Sequence, residues 1–144
     1  MEKVIIYTDG SCLNNPGRGG WACIFIYKNK YKELSGAEDN TTNNRMEMTA
    51  IIKAIESLKK PCEVDLYSDS AYVINAFNND WITRWIKKDW QHGKDRPVLN
   101  ADLWQKLIEV IEPHTINFLK VKGHSDDIYN NRCDKLARGE ASKL

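Results

Sequence analysis

Apolar positions along this chain recur with two periods, and the switches between them mark out its elements. Val4 to Tyr7 is a short apolar run rich in β-formers. Asn14-Asn15-Pro16-Gly17-Arg18-Gly19-Gly20 follows, so dense in turn formers that it reads as a loop. Trp21 to Tyr27 and Lys32 to Ala37 read as two more strands, and the Lys28-Asn29-Lys30 turn between them predicts an antiparallel meander with the first. The period then changes. Met46, Ala50, Ile51, Ala54, Ile55 and Leu58 share one helical face, Thr41-Thr42-Asn43-Asn44 supplies N-cap candidates before it, and Pro61 marks its end. Val64 to Ser68 is a second buried-type strand, and a strand reached through a helix is normally parallel to its neighbour.

Ser70 to Phe77 and Ile82 to Ile86 read as short helices, Asn100 to Ile111 as a longer one, Ile116 to Val121 as a fifth strand and Asn130 to Ala141 as a closing helix. Lys87 to Leu99 is a polar, Trp-containing insertion. The order β-β-β-α-β-α-β-α predicts an α/β fold: one five-stranded mixed sheet, three strands antiparallel and two further strands parallel, flanked by helices. With 144 residues, the chain is long enough for one core and too short for two.

Two of these strands nearly repeat each other. Ile5-Ile6-Tyr7-Thr8-Asp9-Gly10 and Asp65-Leu66-Tyr67-Ser68-Asp69-Ser70 both run apolar residues into Tyr, a small hydroxyl residue and Asp. Read as strands that stop at a carboxylate, they bring two acids to one sheet edge if they lie parallel, which is where open α/β sheets bind ligands. Clustered carboxylates are electrostatically costly unless a cation neutralises them.

Each acid also has a plainer local role. Asp9-Gly10 is a turn dipeptide, Asp69 suits an N-cap, Glu47 follows Asn44 by three as in a capping box, and Asp134, near Arg132 and Lys135 in a charged helix, reads as a solvated-face residue. The joint placement favours a shared site, with Glu47 expected in the first turn of a helix that packs near the edge where Asp9 and Asp69 end. Oxygen ligands without paired His or Cys favour Mg²⁺ or Mn²⁺ over Zn²⁺, and two ions about 3.5 to 4 Å apart would suit four carboxylates. His124 taken alone reads as a loop or core histidine; in a loop leaving the fifth strand it could instead shuttle protons.

Composition narrows the class further. Hydrophobic content of 42% and charged content of 28% are ordinary for a globular protein, and a net charge of +1 gives no bulk attraction to nucleic acid. Cys12, Cys23, Cys62 and Cys133 lack CxxC spacing and read as reduced thiols. No apolar run approaches membrane-spanning length, so the expectation is a soluble cytoplasmic protein.

Five stretches now carry a family resemblance. They are Tyr7-Thr8-Asp9-Gly10-Ser11-Cys12 with Asn15-Pro16-Gly17, Thr42-Asn43-Asn44-Arg45-Met46-Glu47, Tyr67-Ser68-Asp69-Ser70, Lys122-Gly123-His124, and Arg132-Cys133-Asp134-Lys135-Leu136-Ala137. In this order, and over almost the whole chain, they resemble type 1 ribonuclease H of the bacterial kind.

The resemblance implies a ribonuclease H-like fold over residues 1–144. It also implies metal-dependent endonucleolytic hydrolysis of the RNA strand of an RNA/DNA hybrid, leaving a 5′-phosphate and a 3′-hydroxyl. Asp9 would bridge two Mg²⁺, with Mn²⁺ as the alternative; Asp134 would hold the ion that activates water, and Glu47 with Asp69 the ion facing the leaving oxygen. His124 would assist proton transfer or product release. Cys12, Asn14, Asn15, Asn43 and Asn44 would lie near sugars and bases, and Thr42 with Asn100 would grip a DNA phosphate.

The insertion resembles the basic protrusion of bacterial members, at about residues 81–100. Lys87, Lys88 and Arg96 would supply phosphate affinity. Trp81 would contact the DNA strand, whereas Trp85 and Trp104 read better as helix packing. Ala71, Asn14, Asn131 and the Asp126-Asp127-Ile128-Tyr129 run depart from the usual family pattern. The hybrid is the expected partner of a monomer with no obligate protein partner. A DNA-cutting nuclease on the same sheet and a hybrid-binding module without catalysis are the two competing readings.

Overall fold

A computed structural model of the protein describes residues 1–121 and 127–143. The strands are β1 (Glu2–Cys12), β2 (Gly17–Tyr27), β3 (Lys30–Thr41), β4 (Cys62–Ser68), β5 (Gln91–Gly93), β6 (Arg96–Pro97) and β7 (Thr115–Lys120). The helices are α1 (Asn43–Glu56), α2 (Ala71–Asn78), α3 (Trp81–Lys87), α4 (Ala101–Ile111) and α5 (Ile128–Ser142). Five strands form one mixed sheet, as the alternation of elements predicts, and their order is β3-β2-β1-β4-β7. β1, β2 and β3 pair antiparallel, β4 joins β1 in parallel with Ile6 opposite Leu66, and β7 joins β4 in parallel with Val64 opposite Ile116. The insertion is not plain loop, because β5 and β6 pair within it as a small antiparallel hairpin.

Both faces of the sheet are covered. In β2, Cys23 and Phe25 face the main core, which α1, α2 and α4 complete with Met48, Ile51, Val73, Trp104 and Leu107. Ala22 and Ile24 alternate to the opposite face, where Cys133 and Ala137 of α5 close a smaller apolar cluster, so the one sheet separates two buried layers where the length predicts a single core. Small residues at that contact let α5 come very close. A Cβ added at Gly20 would lie 2.1 Å from the Ala137 carbonyl oxygen, so only glycine fits there.

The first three strands are longer than their apolar runs, and this corrects one expectation. β1 does not stop at Asp9. It continues to Cys12, paired with β2 through Asp9 opposite Ala22 and Cys12 opposite Gly19. What stops is its other neighbour, since the last β1–β4 pair is Tyr7 with Tyr67 and β4 ends at Ser68. The sheet therefore opens between β1 and β4 at the carboxyl ends of parallel strands. The chain winds outward on either side of that gap, through β2 and β3 on one side and β7 on the other. Such a switch point is a cleft by topology alone.

Candidate active site

Asp9 and Asp69 flank this opening, and α1 delivers Glu47 to it. Thr42 is the N-cap of α1, accepting from the Arg45 N–H at 3.2 Å. The helix starts at Asn43, so Glu47 is its fifth residue and not a first-turn acid, which removes the capping-box role. Ser70, not Asp69, caps α2, accepting from the Val73 N–H at 3.3 Å. Two of the plainer roles are thus filled by other residues.

Gly10 is what brings α1 so near. A Cβ there would lie 2.4 Å from both the Glu47 nitrogen and the Met46 carbonyl carbon. With only hydrogen at that point, the Gly10 N–H donates to Glu47 Oε1 at 2.5 Å and also meets Asp9 Oδ1 at 2.9 Å. A Gly10→Ala variant is expected to push α1 off β1, at about 1–3 kcal/mol of stability. Displacing Glu47 by about 1 Å is expected to cost roughly 10²-fold in rate. Urea unfolding beside a hybrid-cleavage assay checks both; unchanged cleavage would show that the helix is not held by this contact.

One oxygen from each of Asp9, Glu47 and Asp69 lies within 4.8 Å of the others. Asp9 is 3% exposed and Glu47 8%. Burial pushes Asp9 up to about 7, a hydrogen bond with Glu47 opposes the rise, and the charges of Asp69 and Asp134 add to it. Burial also raises Glu47 well above the ordinary carboxyl range, with Asp9 next in effect. Asp69 is more open, yet partial burial of its carboxyl and the Asp134 charge push it up too. Without a cation, burial and mutual repulsion thus disfavour the ionised forms of Asp9 and Glu47 together.

Asp134 stands outside this three-residue group. Its carboxylate meets Arg138 at 2.6 Å, one turn along α5, while its charge still reaches Asp9 and Asp69. His124 lies outside the described residues, as does Asp126 of its loop.

The donor set fits a hard divalent cation. Its ligand atoms are carboxylate oxygens, and the buried Glu47 Oε2 has no hydrogen-bond partner among the described residues. A buried anionic oxygen left unpaired is costly, and a bound cation would satisfy it.

The other residues expected to touch substrate divide into two groups. Cys12, half-buried at the end of β1, points its thiol to the Asn14 carbonyl at 2.9 Å. Asn14 and Asn15 are exposed in the β1–β2 loop, and Asn15 Oδ1 accepts from the Asn43 N–H at 3.3 Å. That bond joins the loop to the start of α1, so Asn14, Asn15, Thr42, Asn43 and Asn44 form one continuous polar rim. Asn100 joins it through Arg45, whose Nη1 donates to Asn100 Oδ1 at 3.2 Å.

The protrusion makes the second group. Trp81 and Lys88 line a groove of about 320 Å³ with Arg84, Trp85 and His92. Lys87 and Arg96 are exposed and lie outside that groove. Trp104 is fully buried and Trp85 packs on it at 5.4 Å between ring centroids, as their reading as helix packing expects. Ala71 and Asn131 are exposed.

Sequence reasoning missed what Arg45, Tyr72 and Asp102 do here. Arg45 lay inside a quoted motif, but its two-point contact with Asp102, at 3.0 and 2.7 Å, spans 57 residues and left no local signal.

Comparison with known proteins agrees with this geometry. A family profile described as RNase H matches residues 1–142. The chain is 58% identical to a protein named ribonuclease H of Caldanaerobacter subterraneus subsp. tengcongensis, over 99% of this chain and 93% of that one. It is 56% identical to a ribonuclease H of Moorella thermoacetica, over 100% of this chain and 95% of that one. Among solved structures, LC9-RNase H1, described as a type 1 RNase H with the type 2 active-site motif, superposes with a TM-score of 0.88. It is 25% identical, over 98% of this chain and 72% of that one. LC11-RNase H1, solved in complex with an RNA/DNA hybrid, shares the fold at a TM-score of 0.73 and 22% identity, over 94% of each chain.

Proposed function

The chain belongs to the ribonuclease H family, a metal-dependent endonuclease that cleaves the RNA of RNA/DNA hybrids, and we propose that it does so with two Mg²⁺ held by Asp9, Glu47, Asp69 and Asp134. Cleavage would leave a 5′-phosphate and a 3′-hydroxyl. The observation that carries this reading is the convergence of three carboxylates from β1, α1 and the end of β4 at the switch point of the sheet. Mn²⁺ is the alternative occupant, since the same oxygen donors suit it.

When bound, divalent ions lower the pKa of the attacking water and stabilise charge on the departing 3′-oxygen. The chain's own residues do the rest. Asp9, buried beside Glu47 with the charges of Asp69 and Asp134 near it, would offer its carboxylate to both ions. Gly10 holds one Glu47 oxygen through its N–H and leaves Oε2 for the ion. Asp134 would leave Arg138 to join the site, and His124 would assist proton transfer or product release.

Substrate choice follows from the polar rim. Cys12, Asn14, Asn15, Asn43 and Asn44 would meet sugars and bases from the minor groove, where the 2′-hydroxyl distinguishes RNA from DNA. Thr42 and Asn100 would hold a DNA phosphate, Lys87, Lys88 and Arg96 would add salt-sensitive phosphate affinity, and Trp81 would lie against the DNA strand. We read residues 1–144 as one catalytic domain with a protrusion at about 81–100, acting as a monomer. No described helix is long and apolar enough to cross a membrane.

A labelled RNA/DNA hybrid assayed beside matched RNA and DNA duplexes, with Mg²⁺ and with chelator, tests the proposal. Cleavage of the RNA strand of the hybrid alone, lost with chelator, is the expected result. Cutting of duplex DNA would favour the other nuclease reading, and binding without any metal-dependent cleavage would favour the non-catalytic one.

A further inference from the structure

Asn100 occupies the N-cap position of α4 in a left-handed backbone conformation, φ 62° and ψ 26°, yet its side chain makes no capping bond. Two other residues hold its amide. Arg45 Nη1 donates to Oδ1 at 3.2 Å, and Nδ2 donates to the Tyr72 hydroxyl at 3.2 Å. A guanidinium has no acceptor, so the end of the amide that faces Arg45 must be the oxygen. Arg45 is itself fixed by its two bonds to Asp102.

Tyr72 is equally constrained. Its hydroxyl accepts a second bond from Trp104 Nε1 at 3.2 Å, and an indole N–H can only donate. Trp104 is fully buried, and its ring lies 5.3 Å from that of Tyr72. A rigid core residue thus anchors the phenol, the phenol takes one Nδ2 hydrogen, and Arg45 takes Oδ1. This leaves the second Nδ2 hydrogen of Asn100 uncommitted among the described bonds. An asparagine that forgoes capping its own helix and is oriented from both ends is arranged to present a donor.

We propose that Tyr72 is a positioning residue for hybrid binding: its hydroxyl, anchored on Trp104, orients the Asn100 amide so that the free N–H meets a phosphate oxygen of the DNA strand. This rests on the reading of Asn100 as a phosphate contact. Without the hydroxyl the amide keeps only its Arg45 bond and turns about it. The ring of a Phe would still fill the space, so chemistry at the carboxylates is untouched.

Steady-state cleavage by Tyr72→Phe, Asn100→Ala and the double variant tests this, at a temperature where melting curves show all of them folded. For Tyr72→Phe, KM for the hybrid is expected to rise about fivefold, the size of one neutral hydrogen bond, with kcat within about twofold. In the Asn100→Ala background the same change should leave KM nearly unaltered. An equal rise in both backgrounds, or no rise with Asn100 present, overturns the role of Tyr72 while the phosphate contact stands. No rise for Asn100→Ala alone overturns the contact itself and Tyr72's role with it. Should Tyr72→Phe not fold, side-chain amide NMR of the unaltered protein replaces it. Adding hybrid in chelator should shift one Asn100 Nδ2 proton and spare the one bonded to Tyr72; shifts of both, or of neither, overturn the proposal.

Discussion

Replacing Asp9 by Asn is expected to abolish cleavage, by at least about 10³-fold, while making the metal-free protein harder to unfold. The first effect follows from position. Asp9 belongs to the gathered carboxylates and is the most buried of them, at 3% exposure, so its charge acts in a poorly screened site. Losing roughly 4 kcal/mol of cation and transition-state stabilisation corresponds to about 10³-fold in rate.

The second effect has the opposite sign. An unfolded Asp releases its proton near its ordinary value of 3.8, whereas folded Asp9 holds its proton until about 7. Between these values the folded state binds more protons, so stability falls as pH rises, and above about 7 the loss is complete. An Asn at position 9 removes that penalty. The gain is expected to be on the order of 2 kcal/mol at pH 8 without metal and close to zero at pH 4, because near the unfolded value the folded and unfolded states have only begun to differ in bound protons. Mg²⁺ should abolish the difference by stabilising only the native carboxylates. Urea unfolding at the two pH values, with and without Mg²⁺, measures this; an Asn variant less stable than the parent at pH 8 without metal would contradict the electrostatic reading of the cluster.

Trp104→Ala carries the largest expected cost in stability, about 3–5 kcal/mol. The indole has no exposed surface and packs against Tyr72, Phe77 and Trp85, with centroid separations of 5.3, 6.0 and 5.4 Å. Its removal empties the junction of α2, α3 and α4 and leaves the Tyr72 hydroxyl without one of its two donors. Against a total stability of about 5–15 kcal/mol, the variant should melt roughly 10–15 °C lower. Trp104→Phe should lose less, since it keeps most of the ring volume and forfeits mainly the N–H bond. At temperatures where Trp104→Ala is still folded, its hybrid KM should rise more than its kcat falls, because Trp85 and the protrusion lose their support while the carboxylates do not. A melting shift under about 3 °C would mean that the cavity collapses without cost.

Most of the architecture was legible along the chain. The short apolar, β-rich runs at Val4–Tyr7 and Val64–Ser68 and the 3.6-residue spacing from Met46 to Leu58 are local consequences of buried strands and helix pitch, so they survive in one dimension. The crossover through α1 then required β4 to run parallel to β1. Strand length was less legible. Gly10 to Cys12 and Gly17 to Gly20 look like turn sequences, and only pairing with β2 keeps them extended.

What the sequence by itself determined was therefore the five strands of the main sheet and their helices, the parallel pair of Tyr-Thr/Ser-Asp strands and the identity of the acids, but not the β5–β6 hairpin. Folding decided how those acids relate. It buried Asp9 and Glu47 against each other through the missing Cβ of Gly10, left Asp134 on Arg138, and built the Arg45–Asn100–Tyr72–Trp104 chain from three segments, α1, α2 and α4. Periodicity and capping depend on neighbours a few residues away, whereas desolvation and hydrogen-bond partnership depend on what the other elements bring within a few ångströms. No local pattern records that.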